Sequence, residues 1–139
     1  MRRAALALAV LFIVSCGGSV PAMRITRFSA IPENRYPAFD RSIADAAVAR
    51  RVFDAVNALP RATTDRSCPA AFGLRYRLSF NEAARVSLSV VIEGDGCADV
   101  SFTQSDRRAT DDAFWDLLAN AVGVTKADIH LVKPDEMRR

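Results

Sequence analysis

Three stretches between residues 74 and 103 alternate apolar and polar side chains with a period of two. Leu74, Tyr76, Leu78 and Phe80 are separated by Arg75, Arg77 and Ser79. Val86, Leu88, Val90 and Ile92 follow in the same rhythm, and Val100 and Phe102 repeat it after Gly94-Asp95-Gly96. Successive strand residues point to opposite faces, so the pattern predicts an antiparallel meander with one buried and one solvated face. A five-residue loop, Asn81 to Arg85, pairs Phe80 with Val86 and Leu74 with Ile92. The same ladder brings Cys68 and Cys97 to one end of the sheet.

Two stretches switch to helical spacing. Val48, Val52, Ala55, Val56 and Leu59 form one apolar stripe, with Asp45 as N-cap and Pro60 as stop, predicting a helix over Ala46–Ala58. Phe114, Leu117, Leu118 and Ala121 form a second stripe over Asp111–Val122, capped by Thr110 and closed by Gly123. Earlier in the chain, Met23–Ile31 reads as a strand with Met23, Ile25 and Phe28 inward, and Tyr36–Ile43 as a second strand broken by Pro37. Residues 124–132 are ambiguous between strand and helical turn, and 134–139 read as a frayed end. Apolar stripes on two helices and one apolar sheet face imply a two-layer α+β domain over residues 23–139, both helices on one face of the meander.

The first sixteen residues follow neither period. Arg2 and Arg3 precede eleven apolar residues, Ala4 to Val14, and Ser15-Cys16 follows. As a helix that run reaches about 16 Å, half of what a bilayer core of roughly 30 Å requires. A basic start, a short apolar run and a small residue before the cut are the parts of an export signal. With cysteine directly after the small residue, the segment resembles a bacterial lipoprotein signal peptide with its lipobox. The resemblance implies a signal over 1–15, lipidation and palmitate-type acylation at Cys16, and a tether over 16–22. It also implies attachment to the outer face of a bacterial cell membrane. Gly18, where sorted lipoproteins of two-membrane bacteria can carry aspartate, points in such a cell to the outer membrane.

That segment changes the reading of charge and cysteines. The net charge of +3 comes from nineteen basic and sixteen acidic residues; without Arg2 and Arg3 it is seventeen against sixteen. The basicity is therefore largely an export feature and gives no argument for nucleic acid. With Cys16 lipidated, Cys68 and Cys97 remain, and two thiols in an exported chain most simply pair. Neither has a Cys or His neighbour at metal-ligand spacing.

Candidate chemistry is sparse. His130 is the only histidine, no Gly-x-Ser-x-Gly elbow accompanies it, and Gly94-Asp95-Gly96 lies in a hairpin turn rather than before a helix. No metal, cofactor or catalytic set is expected. The outward row of the meander, Arg75 and Arg77, then Ser87, Ser89 and Val91, then Asp99, Ser101 and Thr103, suits an anionic ligand or a protein partner. Trp115, at the edge of its helical stripe, is a candidate surface anchor. Cys68-Pro69, Tyr76-Arg77-Leu78-Ser79-Phe80, Gly96-Cys97 and Phe114-Trp115 together are similar to exported proteins of GC-rich bacteria with a Cys-Pro, Tyr-x-Leu-x-Phe, Gly-Cys arrangement. That resemblance implies no activity.

The expectation is a lipid-anchored, extracytoplasmic, non-catalytic interaction module. Its membrane contact is through Cys16, and an envelope protein or anionic ligand is its partner. The alternatives are an envelope hydrolase using loop carboxylates, and a secreted-type inhibitor presenting residues 63–69 or 94–99.

Overall fold

The computed structural model describes residues 22–82 and 85–137. The signal segment, Cys16 and the tether as far as residue 21 lie outside the described residues. The strands are β1 (Met23–Ser29), β2 (Asp40–Ile43), β3 (Leu74–Glu82), β4 (Arg85–Glu93), β5 (Asp99–Ser101) and β6 (Arg107–Ala109). The helices are α1 (Ala46–Ala58), α2 (Asp112–Val122) and the short α3 (Lys126–Ile129), followed by a 3-10 turn over Asp135–Met137. All six strands join one sheet in the order β2-β1-β3-β4-β5-β6, every pair antiparallel. The fold is α+β, as the two periodicities require. The meander is longer than expected: β6 extends one edge, and the β1–β2 hairpin pairs with β3 on the other.

The even-numbered apolar residues of β3 and β4 form the inner face. Leu74, Tyr76, Leu78, Phe80, Val90 and Ile92 are buried there with Met23 and Ile25 of β1 and Val100 of β5. Ala49, Val52 and Val56 of α1 and Phe114, Trp115, Leu118 and Val122 of α2 belong to the same core. Phe53 of α1 meets Phe80 edge-on, ring centroids 5.3 Å apart. Each such large apolar side chain stabilises the fold by about 1.5–3 kcal/mol through burial.

The observed β3–β4 register differs from the expected one by two residues. Phe80 pairs with Leu88 and Tyr76 with Ile92, and the strands run on until Glu82 pairs with Arg85. Pairing to that point shortens the connection from five residues to two. A bulge between Phe80 and Asn81 absorbs the odd residue. An even shift keeps each side chain on its face, so the core survives the correction. Val86, beyond the bulge, does not: it is 62% exposed instead of inward.

Phe28 is corrected as well. It lies opposite Arg75 on the outer face, with the Arg77 guanidinium 5.5 Å from its ring centroid. Strict alternation gives its inward place to Arg27. That guanidinium donates to the Tyr76 hydroxyl (2.9 Å), the Pro37 carbonyl (3.1 Å) and the Asp128 carbonyl, and lies over Phe39. Burial pushes the Tyr76 phenol up to about 12, against the opposing pull of Arg27.

At α2, Asp111 rather than Thr110 is the N-cap, its carboxylate accepting from the Phe114 amide at 2.8 Å. Thr110 instead donates to the Ala98 carbonyl and accepts the Trp115 indole N–H at 3.0 Å. Gly123 closes the helix at φ 71°, in the left-handed region where glycine carries no Cβ penalty. Within residues 124–132 the chain forms one helical turn, α3 (Lys126–Ile129), rather than a strand, with Thr125 and Asp128 forming a capping box.

Candidate functional site

The residues singled out from the sequence fall into different environments. Cys68 and Cys97 form a disulfide, their Cα atoms 4.8 Å apart, within the range a disulfide spans. Arg75 and Arg77 lie on the outer sheet face as expected. Arg77 is exposed above Phe28, whereas the Arg75 side chain is two-thirds covered and bridges to Glu93 at 3.3 Å. Trp115 is 1% exposed, which overturns its candidacy as a surface anchor. Its indole is held by Thr110 and its ring is stacked on His130, centroids 4.4 Å apart and nearly parallel. The α2 stripe simply extends one residue further round than Phe114, Leu117 and Leu118 suggest.

The outer face carries an ionic cluster that single-residue reading missed. Ile92 pairs with Val100, which places Glu93 of β4 beside Asp99 of β5. Arg107 of β6 donates to both carboxylates, at 2.8 Å to Glu93 Oε2 and 3.1 Å to Asp99 Oδ2. Arg75 holds Glu93 Oε1, and Arg66, from the loop before β3, holds Asp99 Oδ1. All four carboxylate oxygens thus face guanidinium groups. The Asp99 side chain is 3% exposed, so its attraction to Arg66 and Arg107 is little screened by water. Carrying the Ile92–Val100 pairing one position outward from each strand would have found the two acids in the sequence. Arg66 carries no strand signal and was not findable that way.

Three arginines against two acids leave one positive charge, and the cluster borders a groove. Residues 61–68 and 104–107 form its walls, with Arg61, Arg66, Arg107 and the Cys68–Cys97 bridge among its lining and Asp99 at its base; its volume is about 570 Å³. Arg61 is fixed by backbone pairing to Arg108, and the Ala62 amide donates to the Arg107 carbonyl at 2.9 Å. The loop is tied down again by Asp95, a buried carboxylate that accepts from the Phe72 amide (2.8 Å) and the Leu74 amide (3.1 Å). Asp95, read from the sequence only as part of a turn, is therefore what joins the 61–73 loop to the 94–99 turn beside the disulfide. Among the described residues, no group of three His, Cys, Asp or Glu side chains converges at metal-binding distance.

Gly94 sits at this junction for a steric reason. A Cβ there would lie 2.4 Å from Leu74 Cδ2 and 2.6 Å from Leu74 Cγ, inside a packed core. Gly94→Ala is expected to lower stability by roughly 1–3 kcal/mol through overpacking. Chemical denaturation measures it, and a change below about 0.5 kcal/mol would show that Leu74 moves aside freely.

His130 supplies a pH signal. Burial chiefly, with help from Lys126, holds its imidazole below the ordinary histidine value, while Asp112 pulls the other way. Protonation is therefore disfavoured in the folded state. The stability this residue contributes is complete above the unfolded pKa of about 6.5 and falls as pH drops through and below it. Trp115, the only tryptophan, stacks on that ring and reports the change. Its fluorescence is expected to fall on acidification with a midpoint below 6.5. His130→Gln should abolish the transition; an unchanged titration in that variant would assign it elsewhere.

No protein-family model matches the chain, no curated protein matches it, and no solved structure matches it.

Proposed function

We propose that this chain is a lipid-anchored, extracytoplasmic binding module of the bacterial cell envelope that works without catalysis. The anchor and compartment rest on the order of Arg2-Arg3, the apolar run Ala4–Val14 and Ser15-Cys16. One acyl chain holds a protein marginally and two or three hold it durably, so a diacylated or triacylated Cys16 is a stable attachment. The observation that carries the binding role is the engagement of both facing acids on the outer sheet. Glu93 and Asp99 are neighbours across β4 and β5, yet guanidinium groups take every oxygen. A general acid or base needs an oxygen free to exchange a proton with substrate. The cluster instead works as a rigid, net-positive floor, and this favours the binding module over the hydrolase.

Two measurements test the proposal. Mass spectrometry of the mature N-terminus is expected to find acylated Cys16, and Cys16→Ser to move the protein out of the membrane fraction. An unmodified Cys16 sinks the anchor. Turnover of an envelope polymer by purified protein, abolished by Asp99→Asn at a temperature where that variant is still folded, sinks the non-catalytic reading.

A further inference from the structure

We infer that the groove between residues 61–68 and 104–107 is a binding site for an oxyanion, a phosphate- or carboxylate-type group, with Arg61 as its free guanidinium. The inference rests on the binding-module reading and names the ligand class of that module.

Charge is the first argument. Arg66 and Arg107 reach the groove already committed to Asp99, the one acid among the lining residues. Arg61 reaches it exposed, and no described residue accepts a hydrogen bond from its side chain or pairs with it. With Arg66 held by Asp99 and Arg107 by Asp99 and Glu93, Arg61 is the guanidinium of the lining that no acid offsets. An incoming oxyanion can take both outward N–H groups of Arg61 in bidentate fashion, the strong geometry for this side chain. Thr63, Thr64 and Ser105 supply hydroxyl donors on the same walls.

Preorganisation is the second. The wall that carries Arg61 is held by its pairing to Arg108, by Ala62 on Arg107, and by the Cys68–Cys97 bridge at the far end. Little ordering remains to be done on binding, which raises affinity for a given set of contacts. Arg77 gives the contrast: equally charged and exposed, it lies on the sheet face above Phe28 and is not part of this groove's lining.

Position is the third. The described chain begins at Ala22, whose carbonyl accepts from Asn81 at the β3–β4 hairpin end of the sheet. The groove adjoins Asp99, which pairs at the opposite end, beyond Glu93. Seven residues of β3 separate the two ends, about 23 Å of strand. An anchor at Cys16 therefore joins the domain at the end remote from the groove. The ligand that fits this placement is a free or polymer-borne oxyanion rather than a headgroup of the anchoring membrane.

Isothermal titration of the full-length Cys16→Ser protein with inorganic phosphate at low salt tests the site, alongside flotation with phosphatidylglycerol vesicles and with phosphatidylcholine vesicles. Phosphate binding that Arg61→Ala weakens at least tenfold, with Arg77→Ala changing it less than twofold, supports the groove. Arg61 is solvent-exposed, so its variant is expected to keep the parent unfolding midpoint, and Arg61→Lys should recover part of the affinity. Equal loss from Arg61→Ala and Arg77→Ala overturns the site in favour of diffuse charge attraction. Absence of phosphate binding overturns it too, and Arg61-dependent flotation confined to phosphatidylglycerol overturns the free-oxyanion source. None of these outcomes bears on acylation at Cys16, so the anchor stands or falls separately.

Discussion

Replacing Asp99 with alanine is expected to destabilise the domain by about 3–5 kcal/mol, a large share of the 5–15 kcal/mol that holds a typical domain folded. The physical reason is the asymmetry of a buried ionic cluster. Asp99 is buried between Arg66 and Arg107, and Arg107 also serves Glu93. Removing the carboxylate takes the buried partner from two partly exposed guanidinium groups, with one acid left for three cations. Breaking a pair in this way costs far more than the pair is worth against an apolar replacement. Urea unfolding should show the midpoint falling with an unchanged slope. Asp99→Asn, which keeps the shape and one acceptor oxygen, should lie between parent and alanine. Adding Arg66→Ala to Asp99→Ala should recover part of the loss, because one stranded charge goes with it. The exposed Arg24–Asp40 pair is the control: both side chains are more than half exposed, and its loss should leave the unfolding midpoint close to the parent's. An Asp99→Ala effect of that small size would mean that water reaches the cluster freely.

Removing the disulfide is the second large expectation. The Cys68–Cys97 bridge joins residues 29 apart in sequence. Closing a loop of that length restricts the unfolded chain by about 3.5 kcal/mol in the chain-entropy account. Cys68→Ser with Cys97→Ser should lower the thermal midpoint on the order of 10–20 °C. The change should not spread evenly. Between α1 and β3 the chain has no regular element of its own, and Asp95, the Arg61–Arg108 bridge and the disulfide are what fix it. Hydrogen exchange should therefore accelerate most at residues 61–73, while β3 and β4 keep their protection. Oxyanion binding in the groove should weaken by more than the loss of fold explains, since its wall is what loosens. A reduced protein with the same midpoint and uniform exchange would show that the two other ties suffice.

Much of this was readable before any coordinates. The strict alternation in Leu74–Phe80 and the even-numbered set of β4 fixed which side chains meet the core. The stripe Val48 to Leu59, with Asp45 and Pro60 at its ends, gave α1 with both boundaries, because caps act within a few residues of themselves. Elsewhere local signals competed. Thr110 and Asp111 are both good caps, and what decides is that Thr110 is needed by the Trp115 indole and the Ala98 carbonyl. Phe28 is apolar, yet an inward Arg27 that satisfies Tyr76 and covers Phe39 keeps the strand's period intact. The register missed by two because the alternation is unchanged by an even slip, and only the hairpin's length and bulge distinguish the possibilities.

The sequence by itself determined the α+β class, the helices α1 and α2, the faces of β3 and the pairing of the two cysteines. In Arg2 through Cys16 it also carries the segment on which the proposal of export and lipidation rests, and the N-terminal chemistry of the mature protein tests it. These follow from interactions within a dozen residues or from the simple parity of a strand. Only the tertiary structure decided that Trp115 is buried, that Arg75 is committed to Glu93, and that Arg61 lines a groove with no side-chain partner among the described residues. It also decided that Asp99 is locked between Arg66 and Arg107. Those outcomes depend on which distant segments share a strand edge, and a guanidinium's partner is set by that geometry rather than by its neighbours in the chain.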